Sequence, residues 1–266
     1  MSIFLRLTSV LLILASPAFA KVGDVIQQKG DTNIERDTST FEGIGEGFNV
    51  ETMDTVRTKA GRTAIQFIDE TRVDVTEHSR LVIDSFVYDP NTKTGSLSLK
   101  ASFGTIRYAS GQIAKNSRQN VAIKTPTAVV GVRGTDFSMT VDELGSSTIV
   151  LLPSCNTNFD CVVGEISVSS DVGTVILNQA FQATVVPSPY AIPMKPVLLD
   201  LDERTILNLL IRRTPVEIDE QLEKQLHTMD PSIFKEWNRG SWKDLNLRWN
   251  SGNNCTNFWI LLHSEL

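Results

Sequence analysis

Between residues 21 and 187 the chain is a succession of short runs in which apolar residues alternate with polar ones, and Gly, Asp or Asn separates the runs. Ile65 and Phe67 share one face of such a run, and Val73 and Val75 share one face of the next. A period of two is typical of strands with one face in a core and one in water, the antiparallel habit. The pattern predicts a mainly β domain over residues 21–187, with twisted antiparallel sheets arranged as a sandwich or a coil of strands.

The pattern changes after residue 187. Pro189, Pro193 and Pro196 predict a stiff, extended, Pro-rich linker over residues 188–197. Beyond the linker, the stretches 198–213 and 216–229 carry apolar residues at helical spacing, namely Ile206, Leu209 and Leu210 in the first and Ile218, Leu222 and Leu226 in the second. The sequence therefore predicts a short helical and Trp-rich C-terminal region, residues 198–266, whose apolar stripes pack on the β domain or on each other.

The last thirty residues contain every tryptophan of the chain: Trp237, Trp242, Trp249 and Trp259. Two interpretations are open. Large aromatic side chains concentrated in one segment form a small satellite core, or they form a contact surface for a partner protein or a glycan.

The N-terminal twenty residues have the layout of a secretory signal. Arg6 is followed by an apolar stretch, residues 7–15, and then by the small-x-small sequence Ala18-Phe19-Ala20. We expect cleavage after Ala20 and a mature protein that is periplasmic or secreted, without a stable membrane span. An uncleaved anchor is the alternative.

Charge and composition narrow the classes of partner. The chain is 41% hydrophobic and 21% charged, which is ordinary for a globular protein with a buried core. The net charge is -6, and loss of Arg6, the one charged residue of the signal, makes it -7. An acidic chain is a poor match for nucleic acid or an anionic membrane, since both attract Lys and Arg. We expect a protein partner or a component of the cell envelope.

Two of the three cysteines lie close together in a loop rich in turn-forming residues. Cys155 and Cys161 are six residues apart, and an exported chain is free to join them by a disulfide that staples a hairpin. A zinc site is the competing interpretation, although no His or further Cys lies nearby. Cys255 is left over, either free or as an intermolecular partner.

The chain is poor in catalytic chemistry. Its three histidines, His78, His227 and His263, stand far apart, and no nucleophile, zinc or phosphate-loop motif is present. Gly43, Gly45 and Gly47 lack the preceding strand and following helix that a phosphate loop requires. We therefore expect no cofactor and no enzymatic activity, with a composite site assembled by folding as the alternative.

The most distinctive segment is residues 121–139, in which Lys124-Thr125-Pro126-Thr127-Ala128 is followed by Val132-Arg133-Gly134-Thr135-Asp136-Phe137. This segment resembles the most recognisable part of the FecR domain family, a Thr-Pro-x-Ala followed by an Arg-Gly-Thr-x-Phe. Weaker similarities, in the same order as in the family, extend the resemblance over about residues 22–187. Glu70 and His78 depart from the family pattern.

The resemblance implies a non-enzymatic periplasmic β domain in which Thr125, Pro126, Arg133, Gly134, Thr135 and Phe137 shape a corner of the fold. We expect Arg133 to bond carbonyl groups or Asp136 in its own turn; pairing with a carboxylate or an anion, at a fixed place between two glycines, is the functional alternative. FecR regulators also carry a cytoplasmic anti-sigma segment and a membrane span, where this chain has a signal sequence.

Three functions remain open after these steps. The first is an exported scaffold or binding module that docks a protein or envelope component through sheet edges or the Trp-rich segment. The second is a sensor component, similar to FecR regulators, whose signalling half is on another chain. The third is a cell-wall-acting enzyme.

Overall fold

A computed structural model describes residues 21–117, 119–155 and 161–200. The strands of the first half are β1 Lys21–Lys29, β2 Thr32–Arg36, β3 Ser39–Glu42, β4 Asn49–Glu51, β5 Thr55–Thr58, β6 Arg62–Phe67, β7 Arg72–Val75 and β8 Arg80–Asp89. The long strand β9, Thr94–Ala109, and the short helix α1, Gln112–Asn116, follow. The second half contains β10 Val121–Lys124, β11 Val129–Arg133, β12 Asp136–Val141, β13 Ser147–Leu152, β14 Ser154–Cys155, β15 Cys161–Val162, β16 Glu165–Ser169, β17 Thr174–Leu177, β18 Gln182–Val186 and β19 Val197–Leu198. The prediction of a mainly β fold is confirmed.

The strands form two large sheets that share β9. Sheet 1 has the order β4-β1-β6-β7-β9-β12-β13-β18-β19. Sheet 2 has the order β3-β2-β5-β8-β9-β10-β11-β16-β17. Strands from before β9 lie on one side of it in both sheets, and strands from after β9 lie on the other. Strand β9 is therefore the central strand of both sheets. On each side of it, the chain passes repeatedly from one sheet to the other.

Strand β9 passes from one sheet to the other at Gly104. Its first part pairs with β8, where Ala101 is opposite Leu81, and its last part pairs with β7, where Ile106 is opposite Val75. Gly104 has φ +87°, and an added Cβ would lie 2.5 Å from the Cα of Ser79. Only glycine satisfies both conditions, so it allows the bend that joins the two halves.

One strand pair corrects the prediction of purely antiparallel sheets. Strand β10 runs parallel to β9, with Val121 opposite Leu97. The connection between them contains α1, which carries the chain back to the end of the sheet where β9 begins. Parallel neighbours require such a crossover, and the short polar stretch of the sequence gave no helical periodicity from which to predict one.

The inward faces of both sheets form one apolar core that runs through the two halves. The alternating residues named from the sequence, Ile65, Phe67, Val73 and Val75, are all buried in it. At its centre the ring of Tyr108 on β9 stacks on that of Phe137 on β12, with 5.3 Å between ring centroids.

Residues 188–199, which include the predicted Pro-rich linker, fold back along β18. The Met194 N–H donates to the carbonyl of Val185 (2.9 Å), and Val197 is opposite Ala183 in the β18–β19 pair. The Leu199 N–H also bonds to this part of the domain, at the carbonyl of Phe181 (3.1 Å). Leu198, predicted as the start of a helix, is instead in a strand.

Several predictions fall outside the described residues: the signal sequence over residues 1–20, the helices beyond residue 200, the Trp-rich segment and Cys255. They stay predictions. Across the described ranges, no helix is long and apolar enough to cross a membrane.

Candidate functional site

The Thr-Pro half of the signature segment forms the turn between β10 and β11. The Thr125 Oγ1 accepts hydrogen bonds from the N–H groups of Thr127 (3.2 Å) and Ala128 (2.9 Å). Pro126 has no N–H to satisfy and fits the turn by its fixed φ. The Thr127 hydroxyl lies 2.7 Å from that of Ser147 at the start of β13, which ties this turn of sheet 2 to sheet 1.

The Arg-Gly-Thr half forms the crossing from β11 to β12. Gly134 has φ +64°, the left-handed conformation in which glycine carries no steric penalty. Thr135 is fully buried; its hydroxyl donates to the carbonyl of Leu152 (3.2 Å), and its own carbonyl accepts the Ser110 hydroxyl (2.5 Å). Phe137 places its ring in the core. These residues shape the fold, and their polar groups are engaged within it.

Arg133 does not bond within its own turn, contrary to our expectation. Its Nη1 lies 3.2 Å from Oε1 of Glu165, the residue opposite it on β16, and the two side chains are 46% and 41% exposed. This is a cross-strand surface ion pair, a class that contributes little to stability.

Two carboxylates, those of Asp69 and Asp136, are buried and therefore depend on hydrogen bonds from the protein. Their burial was not predicted from the sequence. Asp69 accepts bonds from the N–H (3.0 Å) and hydroxyl (2.8 Å) of Thr71 and from the N–H of Ile113 in α1 (3.2 Å). Asp136 accepts bonds from the Ser154 hydroxyl (2.5 Å) and the Ser110 N–H (3.2 Å). Both residues are fully buried. Two of the bonds to Asp69 come from Thr71, two residues away, whereas the bond from Ile113, 44 residues further along the chain, could not be predicted from the local sequence.

These carboxylates flank the buried hydroxyl of Tyr108, whose pKa is raised, chiefly by burial. A phenol held protonated in the core is not a general base. The cluster of Asp69, Tyr108 and Asp136 is therefore a structural network at the junction of the two halves, and its carboxylates are fully buried among the described residues.

The predicted disulfide is present: Cys155 is bonded to Cys161 and closes the β14–β15 hairpin. The two sulfurs are used in this bond, which is incompatible with the zinc alternative. The adjoining Ser154 hydroxyl binds Asp136, so the stapled hairpin is attached directly to the signature segment.

A different kind of candidate site lies at the outer strand of sheet 2, where β3 pairs only with β2 among the described strands. We call Ser39–Glu42 the β3 edge; all four of its residues are exposed. The ring of Phe41 lies 5.4 Å from that of Phe48 and 5.4 Å from the guanidinium carbon of Arg36.

Arg36 is the last residue of β2, and its guanidinium group lies beneath the Phe41 ring of the β3 edge. Its Nε and Nη2 donate to the carboxylate of Asp54 (2.7 and 2.8 Å), and its Nη1 donates to Glu51 (2.5 Å). The pKa of Arg36 is raised, above all by the bond to Asp54. The β3 edge is therefore an exposed strand with one aromatic side chain, that of Phe41, which is 37% exposed.

The opposite end of the sandwich has a second exposed surface, the C-terminal apolar edge. It is composed of Val172, Ile176, Ile192, Met194, Val197 and Leu198, all at least 43% exposed. These residues come from the β16–β17 hairpin and from the segment that pairs with β18. In the described parts of the chain, no group of three or more His, Cys, Asp or Glu residues is placed to hold a metal ion.

The fold and the signature segment define a two-sheet β domain with exposed outer strands. Residues 54–153 match the family model FecR protein, so the chain contains a FecR domain. The matched residues run from the start of β5 to the end of β13 and include β9 and the signature segment.

Two crystal structures, at 1.65 and 2.50 Å, of a protein from Parabacteroides distasonis provisionally assigned as an anti-sigma factor are similar to the chain, with 11% and 10% identity and TM-scores of 0.40 and 0.41. Each match covers 57% of this chain and 62% of the other, so the chain spans less than two thirds of their length. No curated protein matches the chain.

Proposed function

We propose that this protein is a non-enzymatic, exported FecR-domain protein that acts as a binding or scaffold module of the cell envelope. The FecR match supports a domain class that is in general non-enzymatic. The polar groups of the signature segment are engaged in the fold, and the carboxylates Asp69 and Asp136 are buried away from any polymeric substrate. The latter observation weighs against a cell-wall-acting enzyme.

The proposal rests mainly on the exposure of the β3 edge, which pairs only with β2 among the described strands. An unpaired strand is a template for an extended segment of another protein, because its free N–H and C=O groups pair with the incoming backbone. Strand β3 is longer than the outer strands of sheet 1, β4 and β19, and its exposed face is polar apart from Phe41. A partner segment added there would extend sheet 2 and cover the Phe41 ring.

The Cys155–Cys161 disulfide supports the exported part of the proposal, since such bonds persist in oxidising compartments. The periplasm and the cell exterior are compartments of this kind. The expected signal over residues 1–20 would direct the chain there.

A sensor role is the second candidate, and the FecR domain suggests a signalling-related function of this kind. A sensor binds one defined receptor, whereas a scaffold binds an envelope component through whichever surface is free. The Trp-rich segment, with Trp237, Trp242, Trp249 and Trp259, remains a proposed alternative docking surface.

Capture from a solubilised envelope fraction tests the proposal. Arg36 and Ser39 are the last opposed pair before the two-residue turn between β2 and β3, and Thr40 comes next. Successive residues of an antiparallel strand direct their N–H groups alternately toward and away from the neighbouring strand, so we expect the Thr40 N–H to point away from β2. Thr40→Pro removes that donor, and the ring obstructs an added strand. We expect the variant to lose the captured partner. Glu143→Pro, in the exposed turn after β12, is the matched control and should capture as the wild-type chain does.

A second bait lacking residues 201–266 separates the alternatives. Retention of a single receptor by this bait favours sensing through the FecR domain, and loss of every partner favours docking by the Trp-rich segment. Peptidoglycan turnover that a single carboxylate substitution abolishes would instead establish the enzyme.

A further inference from the structure

The C-terminal apolar edge differs from an ordinary outer surface of a β sandwich. Exposed sheet edges usually carry charged residues that keep them from pairing. Here β17 has none, and Lys195 is the one charge between residues 186 and 199. The side chains of Ile192, Met194 and Val197 are all more than half exposed. A contiguous apolar surface of this kind is typical of one that another element covers.

The surface is continuous across the two sheets. The Asp171 N–H in the β16–β17 turn donates to the carbonyl of Pro189 (3.0 Å), and the position of a Cβ on Gly173 would be 3.1 Å from the side chain of Ile192. Residues 189–194 therefore lie across the end of sheet 2 before the chain pairs with β18 in sheet 1. Ile192 therefore lies beside the β16–β17 turn, and Met194 follows it where the chain joins β18.

The chain leaves this face at its own edge. The last described strand, β19, ends at Leu198, and the next apolar residues at helical spacing are Ile206, Leu209 and Leu210. Ile206 is eight positions after Leu198, a span of about 12 Å if helical and at most about 28 Å if extended. A stripe on so short a tether is at high effective concentration beside this face.

We propose that residues 201–213 of the same chain cover the C-terminal apolar edge, with Ile206, Leu209 and Leu210 against Ile192, Met194 and Val197. The contact is intramolecular, and it is independent of the partner proposed for the β3 edge at the other end of sheet 2. It closes the open end of the sandwich and places the Trp-rich segment beyond this covered end.

Two methionines provide the test, because oxidation of a thioether by peroxide follows its accessibility. Met194 lies in the proposed contact and is 57% exposed in the domain, whereas Met53, at the turn before β5, is 54% exposed and far from it in the fold. In the full-length mature chain we expect Met194 to be oxidised at least about threefold more slowly than Met53. Peptide mass analysis after timed peroxide treatment measures both rates in one sample.

The double variant Leu209→Asp/Leu210→Asp should remove the difference, so that Met194 is oxidised as fast as Met53. Asn208→Asp adds a negative charge on the opposite side of the predicted helix and should retain the slow rate at Met194. Met139 is 1% exposed in the core, and its resistance in every sample shows that the β domain is folded.

Equal rates at Met194 and Met53 in the wild-type chain would overturn the proposal, as would a slow Met194 that the double variant leaves unchanged. Protection of Met194 that disappears on dilution would also overturn it, because a second copy of the chain would then be the occupant. Failure of partner capture by the β3 edge leaves these outcomes unaffected.

Discussion

Residues of the signature segment divide into those that connect strands and those that lie on the surface. Thr135 is buried and bonds β13 through its hydroxyl, while Arg133, two residues earlier, makes one exposed ion pair. Energetic importance follows burial here, because an unsatisfied buried acceptor costs more than a lost surface pair. The conspicuous charged residue of the segment is thus the one that the fold needs least.

Substitutions at these two positions should differ accordingly. Thr135→Val retains the shape but leaves the Leu152 carbonyl without its donor, and we expect a loss of about 1 kcal/mol in the free energy of unfolding. Arg133→Ala should change it by less than about 0.5 kcal/mol. Urea unfolding followed by circular dichroism measures both, and the reverse order would contradict the structural assignment.

Asp69 should be the most sensitive of the polar residues. Asp69→Ala removes the acceptor of three hydrogen bonds and leaves the Thr71 and Ile113 donors buried, and we expect a loss of about 3 kcal/mol. Asp31→Ala, the same change at an exposed turn, should be nearly neutral. Similar unfolding midpoints for the two variants would show that the buried network is not needed.

At the scale of elements, β9 is the strand on which both sheets depend. One carboxylate connects it to its neighbours in sheet 2: Asp84 on β8 pairs with Lys100 on β9 and, at 3.4 Å, with Lys124 on the parallel strand β10. The Ser98 hydroxyl also donates to Asp84 (2.9 Å). The bond from Lys100 is the main reason that the pKa of Asp84 is lowered, against the opposing effect of burial.

This pair predicts a pH dependence. A carboxyl whose pKa is lower in the folded state stabilises that state above its unfolded pKa, and the contribution is lost as pH falls through the folded value. We expect Asp84→Asn to cost roughly 0.5–1 kcal/mol at pH 7, discounted because both lysines are about half exposed. The difference from wild type should begin to shrink below about pH 4 and continue to shrink as the pH falls toward the lowered folded pKa of Asp84. Urea midpoints at pH 7 and pH 3 test it; a difference at pH 3 as large as that at pH 7 would argue against the ion pair.

Some of the strands and their buried faces could be predicted from the sequence, whereas two of the strand pairings could not. Period-two alternation identified the strands of residues 63–75 and their buried faces, because half-buried strands leave that pattern. It did not reveal that β10 enters parallel to β9, since direction depends on the crossover through α1. Nor did it reveal that residues 188–199 pair with β18. Prolines permit an extended chain, and whether such a chain is solvated or docked depends on a neighbour distant in sequence.

At the scale of the whole molecule, the candidate sites lie at opposite ends of sheet 2. The sequence drew attention to residues 121–139, and the structure places them at the centre, where their polar groups hold the two halves together. The exposed surfaces lie at the outer strands, with the β3 edge at one end and the C-terminal apolar edge, for which we propose an intramolecular cover, at the other. Which outer strand stays free is a property of the assembled sheet, and local patterns do not encode it.

The central claim is that the β3 edge receives a partner strand in the envelope. The most direct measurement is photocrosslinking in intact cells, with a photoreactive side chain placed at position 40 of the full chain and, as control, at position 143. The account predicts one discrete adduct from position 40 and none from position 143. Equal labelling from both positions, or no adduct from position 40 while position 249 in the Trp-rich segment gives one, would contradict it.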